Sequence, residues 1–168
     1  MEISDAKDLL EIFSNPNSTK YWLSYCNTIE EVEFMMKVEY LSYRQRGLTC
    51  PKVLVLDEKV IGVCNYNDEF DGIGRIGFIL NQDFEGNGYM SMALKELIHE
   101  GFNKLGYHRI EALVFCENKK SKKILERLSF IKEGTMRSYL RHQDKLHDVD
   151  LYAIVKEDVY EERIVYKV

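Results

Sequence analysis

Two prolines, Pro16 and Pro51, are all the chain contains, which excludes proline-rich linkers. No apolar run approaches the ~18 residues that a membrane-spanning helix requires. The start, MEISDAKDLL, has neither a basic segment nor a long apolar one, so no signal peptide is expected. Positive charge is not in excess: 23 Lys and Arg face 28 Asp and Glu, a net charge of −5. That balance gives no electrostatic case for nucleic acid or an anionic membrane surface. Cys26, Cys50, Cys64 and Cys116 show no C-x-x-C spacing and no histidine pair beside them. A zinc site, or any other metal site, is therefore not expected; four reduced thiols in a cytoplasmic protein are. Repeats and low-complexity tracts are also absent. What remains is a 168-residue chain, 45% hydrophobic and 30% charged, expected to fold as one domain over residues 1–168.

Periodicity organises it. Leu9, Leu10 and Phe13 sit at helical spacing within residues 5–13, before the break at Asn15-Pro16-Asn17-Ser18. Thr28 and Glu31 form a capping-box pattern. The helix they open carries Val32, Met35 and Met36 on one side and should end before Gly47. KVLVLD, a turn at Asp57-Glu58-Lys59 and VIGVCNYN read as a hairpin. GRIGFIL alternates, with Ile76, Phe78 and Leu80 on one face. From Met90 the apolar positions Leu94, Leu97, Ile98, Phe102 and Leu105 give an amphipathic helix, expected over residues 91–105 and stopped by Gly106. RIEALVF alternates again, placing Ile110, Ala112 and Val114 together. Asn118 can cap a short helix striped by Ser121, Ile124, Leu125 and Leu128. Two further strands follow within residues 131–155, with RHQDKLHD between them. This order fits an α/β fold: one mixed, mostly antiparallel central sheet with helices on both faces.

Two glycine clusters compete as phosphate binders. Gly72, Gly74 and Gly77 spell G-x-G-x-x-G, but the strand pattern Phe78-Ile79-Leu80 follows them. A dinucleotide loop must instead open a helix, so these glycines read as a turn and a flat strand surface. Gly86 and Gly88 do precede a helix. Unpaired amides and the helix dipole meet at that turn, and glycine lets an anion approach the main chain. A plain glycine turn is the alternative.

The stretch Phe84, Gly86, Gly88, Tyr89, then His108, Arg109, Ile110, Ala112, then Asn118, Ser121 and Phe130, resembles the GNAT superfamily of acyl-CoA-dependent N-acyltransferases. The likeness is greatest to its RimJ/RimL-like branch, which acetylates ribosomal-protein N-termini. It is strong over residues 53–155 and weaker over the N-terminal helices. Departures occur where the family commonly has Gln or Arg (here Asp83), Glu (Met92), Gly (Ser129) and an acid Tyr (Leu125). The family's first strand is nearly missing before Asp5-Ala6, so a short one is expected.

The resemblance implies an N-acetyltransferase that moves the acetyl group of acetyl-CoA directly to a primary amine, a protein N-terminus or a small molecule. The main chain of Glu85, Gly86, Asn87, Gly88, Tyr89 and Met90 would hold the pyrophosphate. The edge of Phe78, Ile79 and Leu80 would pair with the pantetheine arm of coenzyme A, in a gap where this strand and EALVF splay apart. An amide there, of Ile79 or Leu80, would steady the oxyanion. Asn118 would bond the arm as well as cap its helix. Ser121 would bind near the thioester and protonate the departing thiolate, as the candidate catalytic residue, or simply fill the core. Cys116 has no neighbouring histidine and reads as a buried thiol. Lys119, Lys120, Lys122 and Lys123 read as a solvated helix face, with one of them free to meet the 3′-phosphate. The base that deprotonates the acceptor stays open among Glu69, Asp71, Asp148 and Asp150. Residues 15–28, the helix after them and RHQDKLHD should form the acceptor site, with Tyr21 and Trp22 either lining it or in the core. The expected partners are an acyl-CoA and an amine acceptor, with room for a homodimer. Because Met92 and Leu125 are apolar where polar residues are common, an acyl-CoA-binding module without catalysis is the alternative.

Overall fold

Glu31 accepts hydrogen bonds from the Asn27 and Thr28 amides at 2.6 and 3.3 Å, and Thr28 Oγ1 accepts from the Glu31 amide at 3.2 Å. This reciprocal box satisfies donors that a helix start leaves orphaned. It opens α2 (Ile29–Arg46), which Gly47 ends with φ 69°. The computed structural model of the chain describes residues 1–161; the last seven residues of the expected domain lie outside that range. Ahead of α2, a 3-10 turn at Ile3–Asp5 leads into α1 (Ala6–Phe13). No strand precedes α1 among the described residues, so the short first strand is not formed.

The strands are β1 (Lys52–Leu56), β2 (Lys59–Phe70), β3 (Ile73–Leu80), β4 (Arg109–Phe115), β5 (Ile131–His142) and β6 (Lys145–Val155). Three two-residue turns join consecutive strands: Asp57-Glu58, Asp71-Gly72 and Gln143-Asp144, each with both residues at positive φ. That pairing of left-handed residues matches the twist of a tight hairpin, and Asp and Gly tolerate it best. Two sequence expectations change accordingly. Lys59 belongs to β2 rather than to the turn, and most of RHQDKLHD is strand. The sheet order is β1-β2-β3-β4-β6-β5. Every neighbouring pair is antiparallel except β3 and β4, whose parallel pairing requires the crossover through α3 (Tyr89–Asn103).

Helices cover both faces, as the periodicity implied. Leu9, Ile12, Phe13, Val32 and Met36 of α1 and α2 pack on Val60, Val63 and Ile79. On the other face Met90, Leu94, Leu97, Ile98 and Phe102 of α3, with Leu125 of α4 (Lys119–Arg127), pack on Ile76, Ile110, Ala112 and Val114. α3 starts and ends two residues earlier than its apolar stripe suggests. Its first bond runs from the Met92 amide to the Gly88 carbonyl at 3.1 Å, and Leu105, 39% exposed, lies past its end.

Gly101 marks the tightest contact between α3 and the sheet. A Cβ there would lie 2.2 Å from the Tyr66 hydroxyl and 2.9 Å from Ile110 Cδ1. Tyr66 cannot withdraw: it is fully buried, its hydroxyl donates to the Leu97 carbonyl at 2.8 Å, and Tyr107 meets it edge-on. Helix propensity favours alanine over glycine by only about 1 kcal/mol, whereas overpacking costs about 1–3 kcal/mol. Gly101→Ala is therefore expected to lower the melting temperature by several degrees, measured by calorimetry; a raised value would contradict this packing.

Candidate active site

β3 and β4 pair only at their first residues, Ile73 with Arg109, Gly74 with Ile110 and Arg75 with Glu111. Arg75 Nη2 bonds Glu111 Oε2 across this closed end at 3.1 Å, and Arg109 joins Glu111 to Glu133. Beyond it each strand stays with its outer partner, β3 with β2 as far as Leu80 and β4 with β6 as far as Phe115. The two therefore part, and a wedge opens between residues 76–80 and 112–115. The Ile79 carbonyl lies against Gly62 of β2, where a Cβ would be 2.8 Å away. In a trans peptide the following amide points the opposite way, so the Leu80 N–H faces the wedge. The Asn81 amide donates to Ile61 at 2.7 Å, which turns the Leu80 carbonyl to the wedge as well. Alternation adds Phe78. Of the three residues expected to offer this edge, Ile79 does not: its main chain faces β2 and its side chain is buried under α1 and α2.

The wedge leads to the start of α3. A turn at Gln82–Phe84 is pinned by Asn81 Oδ1, which accepts from the Asp83 amide at 3.1 Å. Asn87 Nδ2 donates to the carbonyls of Phe84 and Glu85 at 3.3 and 3.2 Å, closing the loop on itself. Gly86 and Gly88 have φ 83° and 81°, and beyond the adjoining residues no atom lies within 4 Å of where either Cβ would stand. Gly88 is the N-cap and no side chain caps the helix. The Tyr89, Met90 and Ser91 amides precede the first intrahelical donor, Met92, and α3 has no acidic residue in its first turn. Partial positive charge thus stands uncompensated before open space, as an anion site requires. Tyr89 is half-buried, and the Met90 side chain is buried, so Met90 has only its main chain to offer. By contrast, Gly72 lies in a hairpin turn, and Gly74 and Gly77 lie within β3, as expected of a cluster that opens no helix.

Across the wedge, Asn118 Oδ1 accepts from the Ser121 amide at 3.2 Å, capping α4. Its Nδ2 is left for another acceptor. Ser121 is half-buried. Lys120 reaches back to Glu85 as an ion pair, joining α4 to the glycine loop. The position of the family's acid tyrosine, Leu125, is fully buried. Lys122 departs from the expected solvated face. It is 19% exposed and bonds both the Cys116 carbonyl, at 2.7 Å, and Asp150 Oδ2, at 2.5 Å. Asp150, 1% exposed, also takes Lys132 at 2.8 Å, Thr135 at 2.5 Å and the Cys116 thiol at 3.4 Å. Burial alone would raise its pKa, but these donors outweigh burial and hold the carboxyl well below the usual range. Burial and the neighbouring Asp150 push the Cys116 thiol up, the opposite of an activated nucleophile.

The other candidate bases lie away from the wedge. Glu69 pairs with Gly74 at the opposite end of β3, bonded to Tyr107 and to the Thr49 amide. Asp71 sits in the turn beyond it. Asp148 accepts from the Ser138 amide at 2.8 Å and, like Asp150, projects to the face opposite Phe115. Trp22 stacks on Phe13 in the core, whereas Tyr21 lies 5.6 Å from the ring of Phe115 at the end of β4. His142 and His147 complete this ring cluster, 5.5 and 5.3 Å from Phe115. Neither histidine stands out in the sequence. Their signal is the alternation on either side of Gln143-Asp144, which puts both on one face.

Unpaired edges, a helix start free of acid and a loop open at both glycines fit a carrier with a diphosphate at one end and amides along its length. The chain matches the acetyltransferase (GNAT) domain family over residues 1–131. It is 33% identical to the N-acetyltransferase p20 of Bacillus licheniformis, covering 94% of this chain and 91% of that one. Its fold is similar to that of a ribosomal-protein-S5-alanine acetyltransferase from Vibrio fischeri (TM-score 0.80, 25% identity, 94% and 91% covered). It also matches the fold of a ribosomal L7/L12 α-N-protein acetyltransferase in complex with coenzyme A (TM-score 0.83, 23% identity, 92% and 90% covered). The chain thus belongs to the GNAT acetyltransferase family and is an N-acetyltransferase with acetyl-CoA as its donor.

Proposed function

We propose that the chain acetylates the α-amino group of a polypeptide N-terminus, as one catalytic domain working in the cytoplasm. The observation that carries this reading is the ring-lined end of the wedge. Among the described residues no residue of β4, β5 or β6 is part of the α1–α2 core, and on that side Tyr21, His142 and His147 pack on Phe115 instead. An extended chain end can lie there with its amine toward the thioester. The name of the Vibrio fischeri neighbour, an alanine acetyltransferase of a ribosomal protein, supports the same acceptor class. Four free thiols suit a reducing compartment.

In this reading the amides of residues 85–91 hold the diphosphate, and the Phe78 and Leu80 main chain pairs with the pantetheine arm. Asn118 Nδ2 donates to an arm carbonyl. The Leu80 amide faces the developing oxyanion, a preorganised donor that needs no reorientation. The Ser121 hydroxyl gives the departing sulfur its proton. Any dimer is a separate matter, decided by sedimentation.

Incubation with acetyl-CoA and peptides beginning with Ser or Ala is expected to release free thiol and add one acetyl group to the α-amine. Peptides with a blocked N-terminus and a free lysine are expected to stay unmodified. Acetylation of lysine or of spermidine alone would replace the acceptor class. CoA binding with no transfer to any amine would select a binding module instead.

A further inference from the structure

Among the described residues one buried side-chain nitrogen or oxygen has no hydrogen-bond partner: Nε2 of His142. Folded proteins rarely leave such an atom unpaired without a reason. Its surroundings suggest one. His142 is half-buried, in contact with Phe115 and 6.1 Å from the ring of His147. Phe115 ends the very edge of β4 that walls the wedge, and Tyr21 closes over its other side. Four rings from three parts of the chain thus make an apolar collar at the wedge, with one unpaired nitrogen in it. The four carboxylates weighed as bases lie elsewhere: Asp150 is saturated by donors, Asp148 faces away, and Glu69 and Asp71 lie at the far end of β3.

We propose that His142 is the general base of the transfer, an assignment that rests on the acetyltransferase reading above. The acceptor arrives as an ammonium, which has no lone pair. The arriving chain end parts the ring collar that shuts His142 Nε2 from solvent, and Nε2 takes one of the ammonium protons. The freed nitrogen pair forms the C–N bond at the thioester carbonyl, and collapse breaks C–S with its electron pair leaving on sulfur. The nitrogen sheds its second surplus proton, the thiolate gains one, and the imidazolium returns its proton to water. One amide, one thiol and one solvent proton result. The titratable groups around the ring are His147 and Lys145 from β6 and Tyr21, with Lys20 over its ring, from the connection before α2. Phe115 of β4 carries no charge.

The test compares wild type with His142→Gln and His147→Gln, using acetyl-CoA and the Ser- and Ala-starting peptides. His142→Gln is expected to lower kcat by about 100-fold or more, the usual worth of a general base. It should also abolish the acidic limb of the kcat–pH profile while CoA affinity, measured by calorimetry, stays within about twofold. His147→Gln is expected to cost less than about tenfold. In wild type, the His142 imidazole followed by nitrogen-15 NMR should titrate with the midpoint of that limb, a readout needing no variant. A His142→Gln enzyme within about threefold of wild type with its limb intact, or a midpoint away from the limb, overturns the assignment alone. Wild type inactive on both peptides removes the acceptor reading and this base with it.

Discussion

Valine at both Gly86 and Gly88 is expected to weaken CoA binding by about 30- to 700-fold and to leave binding of pantetheine, which lacks the diphosphate, nearly unchanged. Both glycines lie in the left-handed region, at φ 83° and 81°. A side chain there costs roughly 1–2 kcal/mol per residue, and β-branched residues tolerate it least. Two such positions make about 2–4 kcal/mol, which at 1.4 kcal/mol per decade of affinity gives the stated range. Beyond the adjoining residues, the protein leaves space around a Cβ at both sites, so the cost there comes from the backbone rather than from a clash. Without ligand the loop can relax out of the left-handed conformation, and binding must restore it, so the effect should fall on the anionic ligand rather than on the rest of the fold. Calorimetry with CoA and with pantetheine separates the two, and equal losses for both ligands would mean that the loop supports the wedge rather than the diphosphate.

Asp150→Ala is expected to destabilise the fold by about 3 kcal/mol, a loss of roughly 6–12 °C in melting temperature for a chain of this size. Removing one side of a buried ion pair costs about 3–5 kcal/mol; the lower end applies because Lys122 and Lys132 are 19% and 45% exposed and can turn to water. The loss also reaches the site, since Lys122 ties the first turn of α4, with Asn118 and Ser121, to β6. The pH dependence has a definite sign. The folded carboxyl titrates below its unfolded value, so the stabilisation is fully present above the ordinary carboxylate pKa of about 3.9 and fades as pH falls from there through the folded value. The gap in stability between wild type and variant should thus hold steady from pH 7 to about 5 and narrow below about 4. Denaturant melts at these pH values measure it, and a gap that widens in acid would contradict the network.

Local signals carried much of the fold. The Thr28–Glu31 box, Gly47 and the alternation of Ile76, Phe78 and Leu80 each act over a few residues and stand where the sequence put them, while the α3 stripe holds as far as Phe102 and Leu105 falls past the helix end. The glycine loop was legible for the same reason: what makes it a candidate anion cradle is its position between a strand and a helix. Periodicity reports which face is buried, not which group lies across it. Lys122 therefore read as one lysine in a solvated run, although Asp150, 28 residues away, draws it inward. The direction of the Ile79 main chain depends on register with β2, which no pattern within β3 encodes. His142 and His147 lay in a segment expected to help form the acceptor site, but their cross-strand placement follows from a turn two residues long.

A crystal structure with CoA tests the central claim most directly. The diphosphate is predicted to accept from main-chain amides at the start of α3, with the pantetheine arm between β3 and β4 bonded to Phe78 and Leu80. A diphosphate bound away from Gly86 and Gly88, or an arm lying outside the wedge, would contradict it.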